Sequence, residues 1–291
     1  MEFGQRFRTL RKSKQVTLKE LADASVSEAS ISRFENGLQD LGVQVVEHLL
    51  NKMGVTMREW CNQNAESPSR LGSFNNIIGQ LHMRRDLVSL RQQFNQVYAA
   101  YRLSKDKDNL FKMGVIASAI VDLDGNNLLN RRECQQLFTY LFDVEIWDSA
   151  TLTKMGGVII LFDVNQIWTI FTSIVGQLDE ISRADYIAYG DAWDIVLNCY
   201  EVVIQRDVAV AQQMKLRLNQ QEIPALAVSI HLRQYFLNQL LTMMGTSDRM
   251  QQFLAQEKVV RMTELLREAG DQMLAVQSME IMDRVLSARP K

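Results

Sequence analysis

Apolar residues recur along this chain at helical rather than strand spacing. Phe3, Phe7 and Leu10 stand at i, i+4 and i+7, which predicts a helix over roughly Glu2 to Ser13 with one apolar stripe. Thr17-Leu18-Lys19-Glu20 sets a hydroxyl three residues before a carboxylate. That is a capping box, in which each side chain satisfies an orphan backbone N–H, and it opens a second helix that turns Leu18, Leu21 and Ala22 inward. After a break at Ala24-Ser25-Val26, Ser27 is an N-cap for a third helix, Glu28 to Glu35, with Ile31 and Phe34 on its inner face. Asn36-Gly37 ends it with residue types that tolerate the left-handed conformation. Two more short helices follow, about Val43 to Lys52 and Thr56 to Asn62, with Val46, Leu49, Leu50 and Trp60 as their core.

The stretch Asn64 to Ser69 is polar, carries Pro68 and has no apolar anchor, so it reads as a boundary. Helical patterns then resume near 70–101, 107–121, 131–146, 150–162, 165–178, 183–204, 206–220, 225–244, 247–256 and 259–287, the last broken near Gly270. No clean repeat period runs through them. With little period-two alternation and only three prolines, the chain is read as all-α. The expected organisation is a domain over 1–64, a linker over 65–70 and a large helical domain over 71–291.

Composition narrows the function classes. Of 291 residues, 47% are hydrophobic and 23% charged, enough apolar material for packed cores. The formal net charge of −2 gives no overall pull toward nucleic acid, so any such signal must be local. It is: Arg6, Arg8, Arg11, Lys12 and Lys14 put five positive charges in nine residues without an acid. Cys61, Cys134 and Cys199 are few and widely spaced, which fits a reducing, cytoplasmic setting. The first residues are basic without an apolar run, unlike a signal peptide, and no segment is long and apolar enough to span a membrane, so no membrane partner is expected.

Two short helices with a tight break between them, the second small and polar at its start, suit the major groove of duplex DNA. Small side chains permit close approach, serine hydroxyls meet bases or phosphates, and a guanidinium reaches a guanine edge. On this reading Ser27, Ala29, Ser30 and Arg33 face base edges, while Arg11, Lys12, Lys14 and Thr17 contact phosphate. Glu28 either accepts from a cytosine amine or stabilises the helix start.

These residues carry a resemblance. Leu10-Arg11-Lys12, Thr17 to Ala22 and Ile31 to Gly37 resemble the five-helix Cro/repressor-like (XRE) domain, and most closely that of the Rgg/GadR/MutR regulators of Gram-positive bacteria. The break between helices two and three is one residue shorter than in most repressor-like domains and lacks their usual glycine, as in Rgg-like proteins. Tyr140-Leu141-Phe142-Asp143-Val144-Glu145-Ile146-Trp147 resembles a stretch of the Rgg C-terminal region, although Ser149-Ala150-Thr151-Leu152 departs from the segment that follows it there. The resemblance implies a repressor-like helix-turn-helix domain followed by a right-handed, tetratricopeptide-like array of helical hairpins. It also implies a cytoplasmic homodimer joined through its C-terminal helices, a double-stranded DNA operator, and a short hydrophobic signalling peptide in the concave face of the array. Such a groove needs apolar pockets and side chains that clamp a peptide backbone, for which Asn198, Arg233 and Asn238 are the candidates. Phe162, Trp168, Tyr186 and Trp193 read as core.

Residues 122–133 offer a different chemistry. Asp122, Asp124, Asn126 and Glu133 stand at the first, third, fifth and twelfth positions of an EF-hand-like loop, but Asn127 replaces the usual glycine and no second loop exists. A polar turn between helices is the preferred reading, with a calcium-binding interaction protein as the alternative from another class. A second alternative keeps the DNA-binding domain and gives the helical region a small molecule or protein partner. No nucleotide-binding loop, nucleophile elbow or H-E-x-x-H motif is present, so neither an enzyme nor a cofactor is expected. His48, His82 and His231 are far apart in sequence, and His48 reads as structural.

Overall fold

The computed structural model describes residues 3–62, 70–143, 147–184, 186–224 and 227–287. Among them the secondary structure is helical, apart from a short turn bridged between Asp23 and Val26. The helices gather into two compact units, Met1–Phe74 and Asn75–Lys291. Of the expected linker, 65–69 lie outside the described residues and Arg70 already belongs to a helix. No helix among the described residues is long and apolar enough to cross a membrane.

The first unit holds α1 (Phe3–Ser13), α2 (Leu18–Leu21), α3 (Glu28–Glu35), α4 (Val43–Lys52) and α5 (Met57–Asn62). The capping box forms as the spacing predicts: the Thr17 hydroxyl accepts from Glu20 N–H, and the Glu20 carboxylate accepts from Thr17 N–H at 2.6 Å. The core joins Phe7 and Leu10 of α1, Leu21 of α2, Ile31 and Phe34 of α3, and Val46, Leu49 and Leu50 of α4, with Trp60 of α5. Each fully buried large apolar side chain contributes about 1.5–3 kcal/mol. Leu18 and Ala22 are half-buried against this core. Phe3 is mostly exposed but lies 5.1 Å from the Trp60 ring. At Gly4 an added Cβ would fall 1.8 Å from the Phe34 carbonyl oxygen, so only glycine lets α1 approach α3 this closely.

Helix α6 (Arg70–Met83) crosses the division at Asn75, and the second unit contains the rest of it with α7 (Leu87–Ser104), α8 (Lys107–Asp124), α9 (Arg131–Phe142), α10 (Ser149–Gly156), α11 (Val164–Val175), α12 (Leu178–Ala184), α13 (Tyr186–Arg206), α14 (Val208–Leu218), α15 (Val228–Gly245), α16 (Arg249–Glu268) and α17 (Gln272–Ser287), and a 3₁₀ turn at Ile159–Leu161. Neighbours in sequence are mostly neighbours in space: α7 packs on α8, α8 on α9, α14 on α15, α15 on α16 and α16 on α17. The exception is α13, which touches α10, α11, α12, α14 and α15. Trp193, Val196, Leu197, Cys199, Tyr200, Val203 and Ile204 bury most of it, while Asp194, Asn198 and Glu201 leave a polar stripe along one side.

Several helix limits differ from the sequence reading. The segment expected as one helix over 70–101 breaks at 84–86, where Arg85 takes φ 54° and Asp86 caps α7 by accepting from Ser89 N–H at 3.0 Å. The expected 183–204 helix is preceded by the separate short α12, and α16 runs unbroken across the interruption expected at 257–258. The break near Gly270 is present: that glycine has φ +93°, a conformation other residues rarely adopt.

Candidate nucleic-acid interface and ligand groove

In the first unit the residues expected at DNA separate into two groups. Ser27, Ala29 and Arg33 are exposed on α3 and Ser30 is half-buried. Ser27 caps α3 by accepting from Ser30 N–H at 3.2 Å, and the two hydroxyls lie 3.0 Å apart. One proton bridges that pair, which leaves the other free to donate outward. Among the described residues no ion pair or hydrogen bond occupies the Arg33 side chain. Lys12 and Lys14 are exposed.

Arg11 must be corrected. Its side chain is only 11% exposed, and its guanidinium clamps the buried Glu35 carboxylate through Nε (2.6 Å) and Nη2 (3.0 Å). Nη1 donates to the Val16 carbonyl at 2.7 Å. The hydrogen bond to Glu35 raises the Arg11 pKa above its ordinary value. Three of its five N–H groups are engaged inward and the side chain is nearly buried, so Arg11 ties α1 to the end of α3 instead of presenting its charge to phosphate. Thr17 is corrected for a similar reason: its single hydroxyl proton donates to Glu20 at 2.7 Å.

The sequence reading missed the node that fixes the turn between α2 and α3. Asp23 accepts from Ser25 N–H and hydroxyl at 2.9 and 2.6 Å, from His48 Nε2 at 2.7 Å and from Lys52 Nζ at 3.1 Å. These bonds, the Ser25 hydroxyl first, hold its carboxyl well below the ordinary carboxylate range. The Asp23-Ala24-Ser25 spacing is that of an Asx turn and was legible; the partners on α4 were not. His48 is structural, but it sits on a half-exposed face rather than an inner one.

In the second unit three adjoining cavities form one groove. A mainly apolar cavity of about 380 Å³ lies among α13, α15, α16 and α17, lined by Leu197, Phe236, Met262, Leu274 and Ile281. A larger, more polar one of about 970 Å³ is bordered by α6, α8, α13, α15 and α17. The third, about 410 Å³, lies among α6, α8, α10 and α13. Glu201 lines all three. Asn198 and Arg233 meet in this groove: Arg233 Nη2 donates to Asn198 Oδ1 at 2.5 Å and to Glu201 Oε2 at 3.2 Å. Asn238 does not join them. Its Oδ1 accepts from the Tyr200 hydroxyl at 3.0 Å, and it borders none of the three cavities. Phe162 and Trp193 are core; Trp168 is half-buried beneath the Arg217 guanidinium, 5.0 Å from the ring centre. The Tyr186 side chain falls outside the described residues.

The EF-hand alternative is also corrected. Helix α8 runs through Asp122 and Asp124, and Gly125 ends it, so the first candidate ligands are helical. Asp122 pairs with His82 (2.8 Å) and Arg284 (2.6 Å), and Asp124 with Arg91 (2.6 Å). Glu133 is buried in a capping box with Asn130, while Asn126 is exposed. These carboxylates are held apart by separate partners.

Residues 2–59 match a helix-turn-helix domain family, and residues 91–278 match the C-terminal domain of the HTH-type transcriptional regulator Rgg. Among solved structures, the Streptococcus dysgalactiae SHP pheromone receptor Rgg2 superposes with a TM-score of 0.72 at 16% identity, covering 97% of this chain and 99% of that one. A putative transcriptional regulator from Listeria monocytogenes gives 0.71 at 14% identity, covering 98% and 97%. A bacterial peptide pheromone receptor, solved as a complex with its pheromone, gives 0.67 at 12% identity, covering 99% of each. At these identities the structural likeness establishes the fold.

Proposed function

The chain belongs to the Rgg family of HTH-type transcriptional regulators, and on that footing we propose that it is a homodimer that binds a two-half-site DNA operator under the control of a short apolar peptide. Ser27, Ala29, Ser30 and Arg33 of α3 read base edges in the major groove, and Lys12 and Lys14 of α1 neutralise phosphate. The observation that carries this reading is the contrast between the two arginines. Arg11 is committed inward to Glu35, whereas Arg33 is exposed on α3 without an ion pair among the described residues.

The ligand half rests on the groove of the second unit. It joins an apolar cavity to polar ones, with Arg233, Asn198 and Glu201 between them. An extended peptide needs this combination of apolar pockets for side chains and polar groups for its backbone. The fold shared with a receptor solved with a peptide pheromone favours the same ligand class. The peptide controls DNA binding by favouring one state of the protein over another.

The test is a titration of the full chain on operator DNA at fixed salt, with and without synthetic apolar peptides encoded by short reading frames beside the gene. One of these peptides is expected to shift the operator Kd at least fivefold. If none shifts it while a small metabolite does, the peptide assignment fails.

A further inference from the structure

We propose that the cavity lined by Gly79 and Gly156 is the subsite that anchors the main chain of the peptide ligand. This deepens the peptide reading above and rests on it. The two ends of the groove differ in chemistry. The α13–α17 end is lined chiefly by large apolar side chains. The α6–α8–α10 end sets the small residues Gly79, Ala119, Gly156 and Gly157 among larger ones such as Phe111 and Ile160. Small residues let a backbone come close; large apolar pockets take side chains.

The α6–α8–α10 end also contains polar atoms without partners among the described residues. Ser118, 8% exposed, lines this cavity, and its Oγ has no hydrogen-bond partner among the described residues; nor has Oδ1 of the half-buried Asn75, which also lines it. A buried polar group left unpaired weakens the fold, and nearly all such groups in proteins are paired. Side chains with no bond to give up can turn toward an incoming partner at no loss of hydrogen bonding. Asn75 Oδ1 can only accept, whereas a serine hydroxyl can donate. A peptide unit presents a donor N–H and an acceptor C=O together, and so answers both. Asn198 borders the same cavity, with its Nδ2 3.8 Å from where a Cβ on Gly156 would stand.

Gly79 completes the case. It lies inside α6, where glycine weakens a helix, yet a Cβ built there meets nothing within 4 Å. Neither a tight turn nor a packing contact requires it. It lines the cavity and puts no side chain into it.

The test uses N-acetylglycine N-methylamide, which carries two amide groups and no side chain. Isoleucine methyl NMR of the full chain reads its binding at Ile78, Ile159 and Ile160, which border the cavity. In the wild type these methyls are expected to shift saturably at millimolar probe. Gly79→Leu should weaken binding at least tenfold and Ser118→Ala severalfold, with Tm unchanged or raised in both. Gly190→Ala, another helical glycine with open space around it, should leave probe binding unchanged. No saturable shift in the wild type, or equal binding by Gly79→Leu, overturns the subsite. If a peptide controls operator binding equally in the wild type and Gly79→Leu, the peptide reading stands and this subsite falls. If the probe binds as expected but no peptide does, the cavity remains an amide site and the peptide reading falls.

Discussion

Arg11 and Arg33 share a side chain and differ in everything around it. Arg11 lies one turn below Phe7 on α1 and meets Glu35, which stands four residues after Ile31 on the inner face of α3. An acid on an inner face needs a cation, so the spacing of Ile31 and Glu35 already pointed to a buried pair. The local run of positive charge hid it, because charge density cannot tell a phosphate contact from an internal clamp. The two residues therefore predict opposite phenotypes. Arg11→Ala strands a buried carboxylate and should destabilise the first unit by about 3 kcal/mol, measured by urea unfolding. Arg33→Ala should leave unfolding unchanged and weaken operator binding about tenfold or more at fixed salt, within the ~1–3 kcal/mol of a bidentate base contact.

At the scale of elements, the sequence was most legible where a helix begins or ends on its own side chains. Thr17 with Glu20, Ser27 at α3 and Gly270 after α16 all act as their residue types predict. The break at 84–86 was missed because neither glycine nor proline marks it; the stop comes from Asp86 and a left-handed Arg85. The groove was less legible, since it is built from helices far apart in sequence. Two of its three expected polar residues came together, and Asn238 was lost to a bond with Tyr200 that no local pattern announces.

Helix α17 shows the same limit. It packs on α15 and α16, and ion pairs tie it to the other end of the unit: Arg284 to Asp122, and Glu280 to Arg85 at 2.7 Å. His82 first, then Arg284, lowers the Asp122 pKa from 3.8 to about 2. A lowered carboxylate pKa stabilises fully above the unfolded value and is lost as pH falls through the folded one. Asp122→Asn should therefore lower Tm by a constant amount above about pH 4, and the difference should vanish as pH approaches about 2. A difference that persists there would show that Asp122 acts by packing rather than charge. Deuterium exchange at neutral pH should rise in α17 of the same variant.

For the molecule as a whole, a net charge of −2 supplies no general attraction to DNA, so affinity must come from a few placed groups. Such binding is specific in sequence and only modestly sensitive to salt. Replacing Lys12 or Lys14 should reduce the slope of log Kd against log salt by about one per lost phosphate contact, with no change in sequence preference. Selection of bound duplexes from a random-sequence pool, run in parallel with wild-type chain and Arg33→Ala, is the most direct test. The wild type should enrich a motif of two half-sites about one helical turn apart, and the variant should lose or relax that motif. Recovery of unenriched sequence by the wild type, or of the same motif by both proteins, would contradict the assignment of α3 as the reading helix.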